Sequence, residues 1–303
     1  MLRFAQHDMM TPGLKNSASL RDAHDGGGSP LVMRDGSFMV DLSLIRAVLF
    51  DMDGVLYRGK QVLPGVRDLL AFLDVRGIGY ACVTNNASMT PGQYEDKLAD
   101  MGITMPTQRV LTSALITAHH LRSVYPRGTG VLVVGMRGLR EALFGDGHFV
   151  ENLTSPELVV QGVTFDLTYT ILKDAALAIR RGARYVATNP DRTFPSEEGL
   201  IPGAGAIMAA LVAATDVTPL VIGKPAPTMF LVGAEMLGAD PQHTLMIGDR
   251  LDTDIAGANS AGMPSILVLT GVSQREDVGV GPGSPTMIIS DLPALLEVWR
   301  TLP

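Results

Sequence analysis

The sequence predicts an α/β protein built on a doubly wound parallel sheet, with a second α/β unit inserted into it. From Ile45 onward, short apolar runs alternate with amphipathic stretches of helical period, the pattern of strands and crossover helices in such sheets. Polar clusters directly follow several of these runs, as ligand-binding residues do at the carboxyl edge of open sheets. The chain has 303 residues, of which 46% are apolar, so it is long enough for two domains.

The first part of the main sheet is predicted from an alternation of strands and helices up to residue 122. The strand Ala47–Phe50 comes first, followed by a helix over residues 65–76 and a strand over residues 80–83. Helices are then expected over residues 91–101 and 113–122, the second with Ser113 as its N-cap. The helix over residues 65–76 connects two strands, as a parallel sheet requires.

The remaining strands divide the chain into a core and an insertion. Strands are predicted over residues 244–247 and 265–269, whereas residues 131–187 carry a separate α/β pattern whose strands do not end in paired acids. We therefore expect residues 44–125 and 218–303 to form one core domain and residues 126–217 to form an inserted domain. In the alternative, two domains in tandem, the polar clusters would be split between domains.

The first 43 residues differ from the rest of the chain. They are rich in Gly, Ser, Asp and Met and show no apolar period, which predicts a disordered N-terminal tail. A later translation start, at Met33 or Met39, would also explain this composition.

Composition and charge exclude several classes of function. The net charge is −7 and no cluster of Lys and Arg occurs, which argues against a nucleic-acid partner. No apolar stretch reaches the roughly 20 residues that span a bilayer. Cys82, the single cysteine, lies in an apolar stretch, so we expect a buried thiol, no intrachain disulfide and a cytoplasmic location.

Two carboxylates at the end of the first strand are the most informative feature. Asp51 and Asp53 follow the strand one residue apart, so their side chains point the same way at the carboxyl edge of the sheet. Two like charges in that position need a cation or a shared proton. A calcium loop counted from Asp51 fails, because its twelfth position is Val62 instead of Glu. An ordinary turn remains as the alternative for this segment alone.

Three further polar segments follow in order: Thr84-Asn85-Asn86, Gly223-Lys224-Pro225 and the stretch from Gly248 to Asp254. With Asp51-Met52-Asp53-Gly54 they resemble the four motifs of the haloacid dehalogenase (HAD) superfamily. The match is best for subfamily IIA, the NagD, 4-nitrophenyl phosphatase and phosphoglycolate phosphatase group, to which residues 187–195 and 200–205 are also similar. The resemblance implies a Rossmann-like core and a C2-type α/β cap domain between the second and third motifs.

The resemblance also implies a role for each motif residue. Asp51 is expected to be the nucleophile that forms an aspartyl-phosphate, and Asp53 the general acid and base. The expected cofactor is Mg²⁺, held by the Asp51 carboxylate, the Asp53 backbone carbonyl and Asp249, with Asp254 as a further ligand or a neighbour of one. Four residues are expected to bind the phosphate: Thr84, Asn85, Asn86 and Lys224.

The predicted function is hydrolysis of small-molecule phosphate monoesters, such as phosphoglycolate, glycerol 3-phosphate, nucleotides or sugar phosphates. An acid at position 53 favours a phosphatase over a dehalogenase or an ion pump, although phosphomutases share it. Asn189, Asp191 and Arg192 of the cap loop either contact the leaving group or only shape the loop. A phosphotransferase or mutase and a non-catalytic phosphometabolite-binding protein are the alternatives. No membrane partner is expected. The resemblance implies that two copies of the chain can pair through the cap.

Overall fold

The structure is a computed structural model that describes residues 40–196 and 198–302. The predicted tail over residues 1–43 therefore lies outside the described residues except for its last four. In the described ranges the strands are β1 (Ala47–Phe50), β2 (Tyr57–Arg58), β3 (Gln61–Val62), β4 (Gly79–Thr84), β5 (Val110–Thr112), β6 (Gly130–Val134), β7 (Val150–Glu151), β8 (Leu158–Gln161), β9 (Arg184–Ala187), β10 (Thr193–Ser196), β11 (Gly199–Pro202), β12 (Leu220–Val221), β13 (Thr244–Gly248), β14 (Ser265–Val268) and β15 (Met287–Ile289).

Helices connect most of these strands. They are α1 (Val66–Arg76), α2 (Pro91–Asp100), α3 (Ser113–Val124), α4 (Arg137–Phe144), α5 (Tyr169–Arg180), α6 (Ala204–Thr215), α7 (Pro227–Met236), α8 (Ala256–Ser260) and α9 (Leu292–Arg300). The helix predicted from Ser113 is present, but its N-cap is Thr112, whose side chain accepts a hydrogen bond from the Leu115 N–H. None of the helices in the described ranges is long and apolar enough to cross a membrane.

The first sheet confirms the predicted doubly wound parallel architecture. Its six strands lie in the order β15-β14-β13-β1-β4-β5, and all neighbours are parallel. The chain runs outward from β1 in one direction through β4 and β5, and later in the other direction through β13 to β15. The strand order therefore reverses at β1, which creates a crevice at its carboxyl end.

The second sheet consists of five parallel strands in the order β12-β9-β8-β6-β7. The division into a core and an inserted domain stays a prediction, which the composition of the two sheets supports. Its C-terminal limit at residue 217 is too early, however, because β12, at Leu220–Val221, pairs with β9 of the second sheet. A strand of two residues has too short an apolar pattern to be recognised from sequence.

Apolar packing joins the two sheets. One cluster of buried side chains includes Leu49 and Val83 of the first sheet, Ile116 of α3, and Val131 and Val160 of the second sheet. On its other face the first sheet packs against α1, α2 and α9, and a smaller cluster covers the second sheet with α5 and α6. Helix α3 thus contributes to the same apolar core as strands of both sheets, which fixes the second sheet against the first.

The N-terminal end of the described chain is packed, in contrast to the prediction for residues 40–43. Leu42 is 1% exposed and begins a 3-10 helix, Leu42–Leu44, while Val40 is also buried in the cluster with α1 and α9. Val40 and Leu42 are apolar residues shortly before the first strand, and burial of their side chains packs this segment, although the prediction grouped it with the tail.

Candidate active site

Three neighbouring strands of the first sheet deliver the predicted site residues to one edge. Asp51 directly follows β1, Thr84 ends β4, and Asp249 directly follows β13. Because β1 lies between β4 and β13 in parallel register, the three carboxyl ends meet at the crevice where the strand order reverses. The Asp51 N–H continues the ladder by donating to the Ile247 carbonyl at 2.9 Å.

A buried lysine joins two of the acids. The Lys224 Nζ forms ion pairs with Asp51 Oδ1 and, at 2.7 Å, with Asp254 Oδ1. Lys224 and Asp254 are both buried. Asp254 lies in a π-helical turn, Leu251–Ile255, and its Oδ2 accepts the Arg250 N–H at 3.1 Å. Such π-turns often occur at functional sites, and this one brings the Asp254 carboxylate under the lysine.

Burial and charge shift the pKa values of these groups. Burial raises the pKa of Asp51 to about 6, an effect that Lys224 opposes and Asp254 reinforces. Burial, together with the charges of Asp51 and Asp254, raises the pKa of Asp249 to about 7. Burial acts to lower the pKa of Lys224, but Asp254 and Asp51 outweigh it and the pKa is raised. The lysine therefore remains a cation, while two of the acids take up protons readily.

The acids fit a divalent cation. Asp51, Asp249 and Asp254 each place a carboxylate oxygen within 4.8 Å of the others. Asp249 Oδ2 accepts the Val272 N–H at 2.7 Å, whereas Asp249 Oδ1 is buried and accepts no hydrogen bond from the described residues. Hard oxygen ligands of this kind suit Mg²⁺. One ammonium faces three carboxylates, so two negative charges remain for a divalent ion to neutralise.

Glycines make room for the Asp249 carboxylate. Gly54 has φ +92°, and a Cβ at this position would lie 2.5 Å from Asp249 Oδ2. A Cβ on Gly271 would collide with the same carboxylate. The glycine after Asp53 is therefore required both by its left-handed backbone and by the close approach of Asp249.

Asp53 follows Asp51 with one residue between them and is exposed. Partial desolvation nevertheless raises its pKa, an effect that Lys97 and Arg58 oppose. Lys97 Nζ donates to the Tyr57 hydroxyl at 3.1 Å. The backbone carbonyl of Tyr57 accepts the Gly54 N–H at 2.8 Å, which closes the turn after Asp53. The sequence does not predict that Lys97 affects Asp53, because the position of a single lysine on an amphipathic helix does not indicate which residues it contacts.

Three of the four residues predicted to bind phosphate lie at the end of β4, and all three have hydrogen-bond partners within the protein. Thr84 Oγ1 accepts the Asn86 N–H at 3.2 Å. The Asn86 N–H is therefore already engaged, and Asn86 Oδ1 accepts from Ser88 at 2.7 Å. The Asn85 side chain is buried and donates to the Lys224 carbonyl at 2.9 Å.

The three cap-loop residues differ in burial and in their hydrogen-bond partners. Asn189 is buried, donates to the Asn85 carbonyl at 2.6 Å and to Thr188 Oγ1, and accepts the Asp191 N–H. Its polar atoms are engaged within the protein, which favours the loop-shaping alternative for this residue. Asp191 accepts from Asn85 at 3.1 Å, and burial raises its pKa. Arg192 is exposed.

Asp252 and Cys82 lie close to motif residues in the sequence. Asp252 is exposed and pairs with Arg250 at 2.9 Å. Cys82 is fully buried, which confirms the predicted core thiol. Neither side chain contributes to the acidic cluster.

Models of one protein family match two segments of the chain. Residues 48–148 match the haloacid dehalogenase-like hydrolase model, and residues 221–295 match an HAD-hydrolase-like model. The two matches cover the segments that carry all four motifs and lie on either side of residues 149–220.

Curated and structurally determined proteins give the same result. The chain is 40% identical over 247 residues to the acid sugar phosphatase of Staphylococcus aureus, an alignment that covers 82% of this chain and 95% of the relative. It is similar to the crystal structure of a 4-nitrophenylphosphatase from Thermotoga maritima, with TM-score 0.79, 36% identity and coverage of 84% and 98% of the two chains. For a glycerol phosphate phosphatase from Mycobacterium tuberculosis in complex with magnesium, the TM-score is 0.76 with 37% identity and coverage of 85% and 78%.

The raised pKa values of Asp51 and Asp249 predict how the cation-free protein responds to pH. An acid whose pKa rises on folding binds its proton more tightly in the folded state, so stability falls as pH rises from near 3.8 through about 6 for Asp51 and about 7 for Asp249. In EDTA we expect a lower melting temperature at pH 8 than at pH 5. Added Mg²⁺ should recover much of this loss at pH 8 by binding the folded state.

The variant Asp249→Asn provides the control for this pH dependence. Removing one of the two titrating acids should flatten the decline in melting temperature and weaken the response to Mg²⁺. An unchanged decline in this variant, measured by thermal unfolding at matched ionic strength, would contradict the assignment to the acidic cluster.

Proposed function

The chain belongs to the haloacid dehalogenase-like hydrolases, and we propose that it is a Mg²⁺-dependent phosphatase of small-molecule phosphate monoesters. The observation that carries this proposal is the buried cluster of Asp51, Lys224, Asp254 and Asp249 at the crevice. Asp53, an acid of raised pKa, lies two residues after Asp51. A nucleophile, a cation and an acid/base are thereby gathered in one place.

The proposed reaction has two halves. In the first, an Asp51 carboxylate oxygen attacks phosphorus, the ester P–O bond breaks, and Asp53 gives its proton to the departing alcohol oxygen. In the second, Asp53 takes a proton from water, whose oxygen attacks the aspartyl-phosphate and releases inorganic phosphate. Asp51 returns as a carboxylate and Asp53 as an acid. The raised pKa of Asp53 supports the first half, because it favours the protonated acid that gives up the proton.

Positive charge and hydrogen-bond donors hold the phosphoryl group. Lys224 supplies an ammonium, and Thr84 supplies a hydroxyl group. Mg²⁺ bound by Asp51, Asp249, the Asp53 carbonyl and, as a ligand or neighbour, Asp254 would neutralise charge on the phosphoryl oxygens. Without these cations the Asp51 carboxylate and the phosphate dianion would repel each other.

Phosphates of sugars and of glycerol are the proposed substrate class. The support is the similarity to an acid sugar phosphatase and to a glycerol phosphate phosphatase. Asp191 and Arg192 remain the proposed leaving-group contacts, since Asp191 is close enough to Lys224 and Arg250 for their charges to affect its pKa. A hydroxyl-bearing leaving group can donate to such a carboxylate.

The cellular setting also stays a prediction. The single, buried thiol of Cys82 supports a cytoplasmic location. The net charge of −7 supports small-molecule substrates over a nucleic-acid partner.

The first test is phosphate release from a panel of monoesters with Mg²⁺ or with EDTA. We expect turnover only with Mg²⁺ and a loss of at least about 10³-fold in Asp51→Asn, because the variant lacks the nucleophile. Asp252→Asn is the matched control, since this nearby acid is exposed and pairs only with Arg250 among the described basic residues, and its rate should stay within about twofold. Equal rates in Asp51→Asn and the wild type would contradict the nucleophile assignment. No turnover of any ester would favour the non-catalytic alternative.

The second test separates the roles of Asp51 and Asp53. With 4-nitrophenyl phosphate, whose leaving group departs without a proton, Asp53→Asn should still form the aspartyl-phosphate but hydrolyse it about 10²- to 10⁴-fold more slowly. Rapid mixing should therefore show a burst of one equivalent of 4-nitrophenolate per site, and Asp51→Asn should show none. A wild-type steady-state rate in Asp53→Asn, with no burst, would contradict the acid/base assignment.

We also propose that two copies of the chain pair through the β10–β11 hairpin of the predicted cap domain. Phe165 and Leu200 are 52% and 74% exposed, and Phe165 packs edge-on against Phe194 of the β10–β11 hairpin. Light scattering should give twice the 32.2 kDa chain mass for the wild type and a smaller mass for Leu200→Asp. Val280→Asp, at an 87% exposed position outside this hairpin, is the control. A wild-type monomer would exclude the dimer.

A further inference from the structure

The side chain of Asn85 links the residues of two other loops. Its Nδ2 donates one hydrogen bond to the Lys224 backbone carbonyl at 2.9 Å and another to Asp191 Oδ1 at 3.1 Å. These two bonds use both hydrogens of the amide. The side chain is 9% exposed, so water competes little with either partner.

The backbone of Asn85 is fixed as firmly as its side chain. Its carbonyl accepts from Asn189 Nδ2 at 2.6 Å and from Ser113 Oγ at 2.5 Å. Asn189 belongs to the loop that follows β9 of the second sheet, and Ser113 begins α3. Asn85 is therefore attached to the second sheet through both its amide and its carbonyl.

The Lys224 segment lies between Asn85 and the loop at residues 188–191. The Gly223 N–H donates to the Thr188 carbonyl at 2.8 Å. A Cβ on Gly223 would lie 2.5 Å from that carbonyl oxygen and 2.6 Å from Asn85 Oδ1. The backbone before Lys224 is thus packed tightly on both sides, and a shift of either neighbour must move it.

We propose that Asn85 is a positioning residue that holds the Lys224 ammonium in place for the phosphoryl group. Through Asn85, the position of this ammonium depends on the position of the 188–191 loop. This inference rests on the proposed phosphatase function. It gives Asn85 a role besides its predicted contribution to phosphate binding. It also means that Asp191 acts on the reaction partly through Asn85, in addition to any contact it makes with the leaving group.

The two modes of action of Asp191 have different kinetic signatures. A residue that acts through Lys224 changes the step common to all esters, so its removal lowers kcat by the same factor for each of them. A residue that contacts the leaving group changes kcat/KM by factors that differ from ester to ester. Loss of the Lys224 position should also weaken binding of inorganic phosphate, which has no leaving group.

The test is a double-mutant cycle of Asn85→Ala and Asp191→Ala, measured with 4-nitrophenyl phosphate, glycerol phosphate and a hexose phosphate. We expect Asn85→Ala to lower kcat about tenfold for every ester and to raise the inhibition constant of inorganic phosphate by a similar factor. Asp191→Ala should lower kcat in the wild-type background but have little further effect on kcat in Asn85→Ala. Additive effects of the two substitutions on kcat, or a factor for Asn85→Ala that depends on the ester, would overturn the inference.

Ser113→Ala is the matched control. It removes one bond to the Asn85 carbonyl and leaves both bonds of the Asn85 amide intact, so it should lower the melting temperature but keep kcat within about twofold. If Ser113→Ala lowers kcat as much as Asn85→Ala at a comparable loss of stability, the role of Asn85 is structural and the inference fails. A wild-type chain without turnover would contradict the proposed function itself, whereas an active wild type with additive effects contradicts this inference alone.

Discussion

The charge balance around Lys224 is the constraint on which the rest of the site depends. One buried ammonium touches Asp51 and Asp254, and Asp249 brings a third carboxylate into the same space. Buried charges without partners are costly, which is why the pKa values of Asp51 and Asp249 are raised. The protein alone balances only part of this charge, so the site is completed by what binds to it. A divalent cation would neutralise the remaining acids, so that a phosphate would no longer meet a net negative charge.

The same constraint explains the backbone around the acids. Asp249 lies where side chains of residues 54 and 271 would otherwise be, so both positions are glycine. One Asp249 oxygen is held by the Val272 N–H, and the other is buried without a protein donor. Close packing on every side therefore leaves this carboxylate a single free oxygen. That oxygen is oriented before any cation arrives, which reduces the reorganisation that binding requires.

Much of the main sheet and the acids at its edge could be predicted from sequence, because an apolar strand followed by a polar residue is a local signal. Asp51, Thr84 and Asp249 each follow such a strand, and the structure brings them together. The role of the Asn85 side chain could not be predicted in this way. Its partner Asp191 is 106 residues away, and both lie in loops without periodicity. The prediction for residues 40–43 was wrong for a different reason. Leu42 is packed, although the composition of residues 1–43 as a whole predicts a disordered tail.

Because Lys224 follows a strand of the second sheet, that sheet contributes to the charge balance of the site. Lys224 follows β12, which pairs with β9, and the Gly223 N–H extends that pairing to the Thr188 carbonyl. The cation that balances the acids of the first sheet is therefore carried by the second sheet. Any displacement of the second sheet stretches the ion pairs with Asp51 and Asp254, where low exposure makes them strong. In the proposed function, substrate selection by the 188–191 loop and charge stabilisation at the first sheet are therefore mechanically connected, because Asn85 is bonded to Asp191 and to the Lys224 carbonyl.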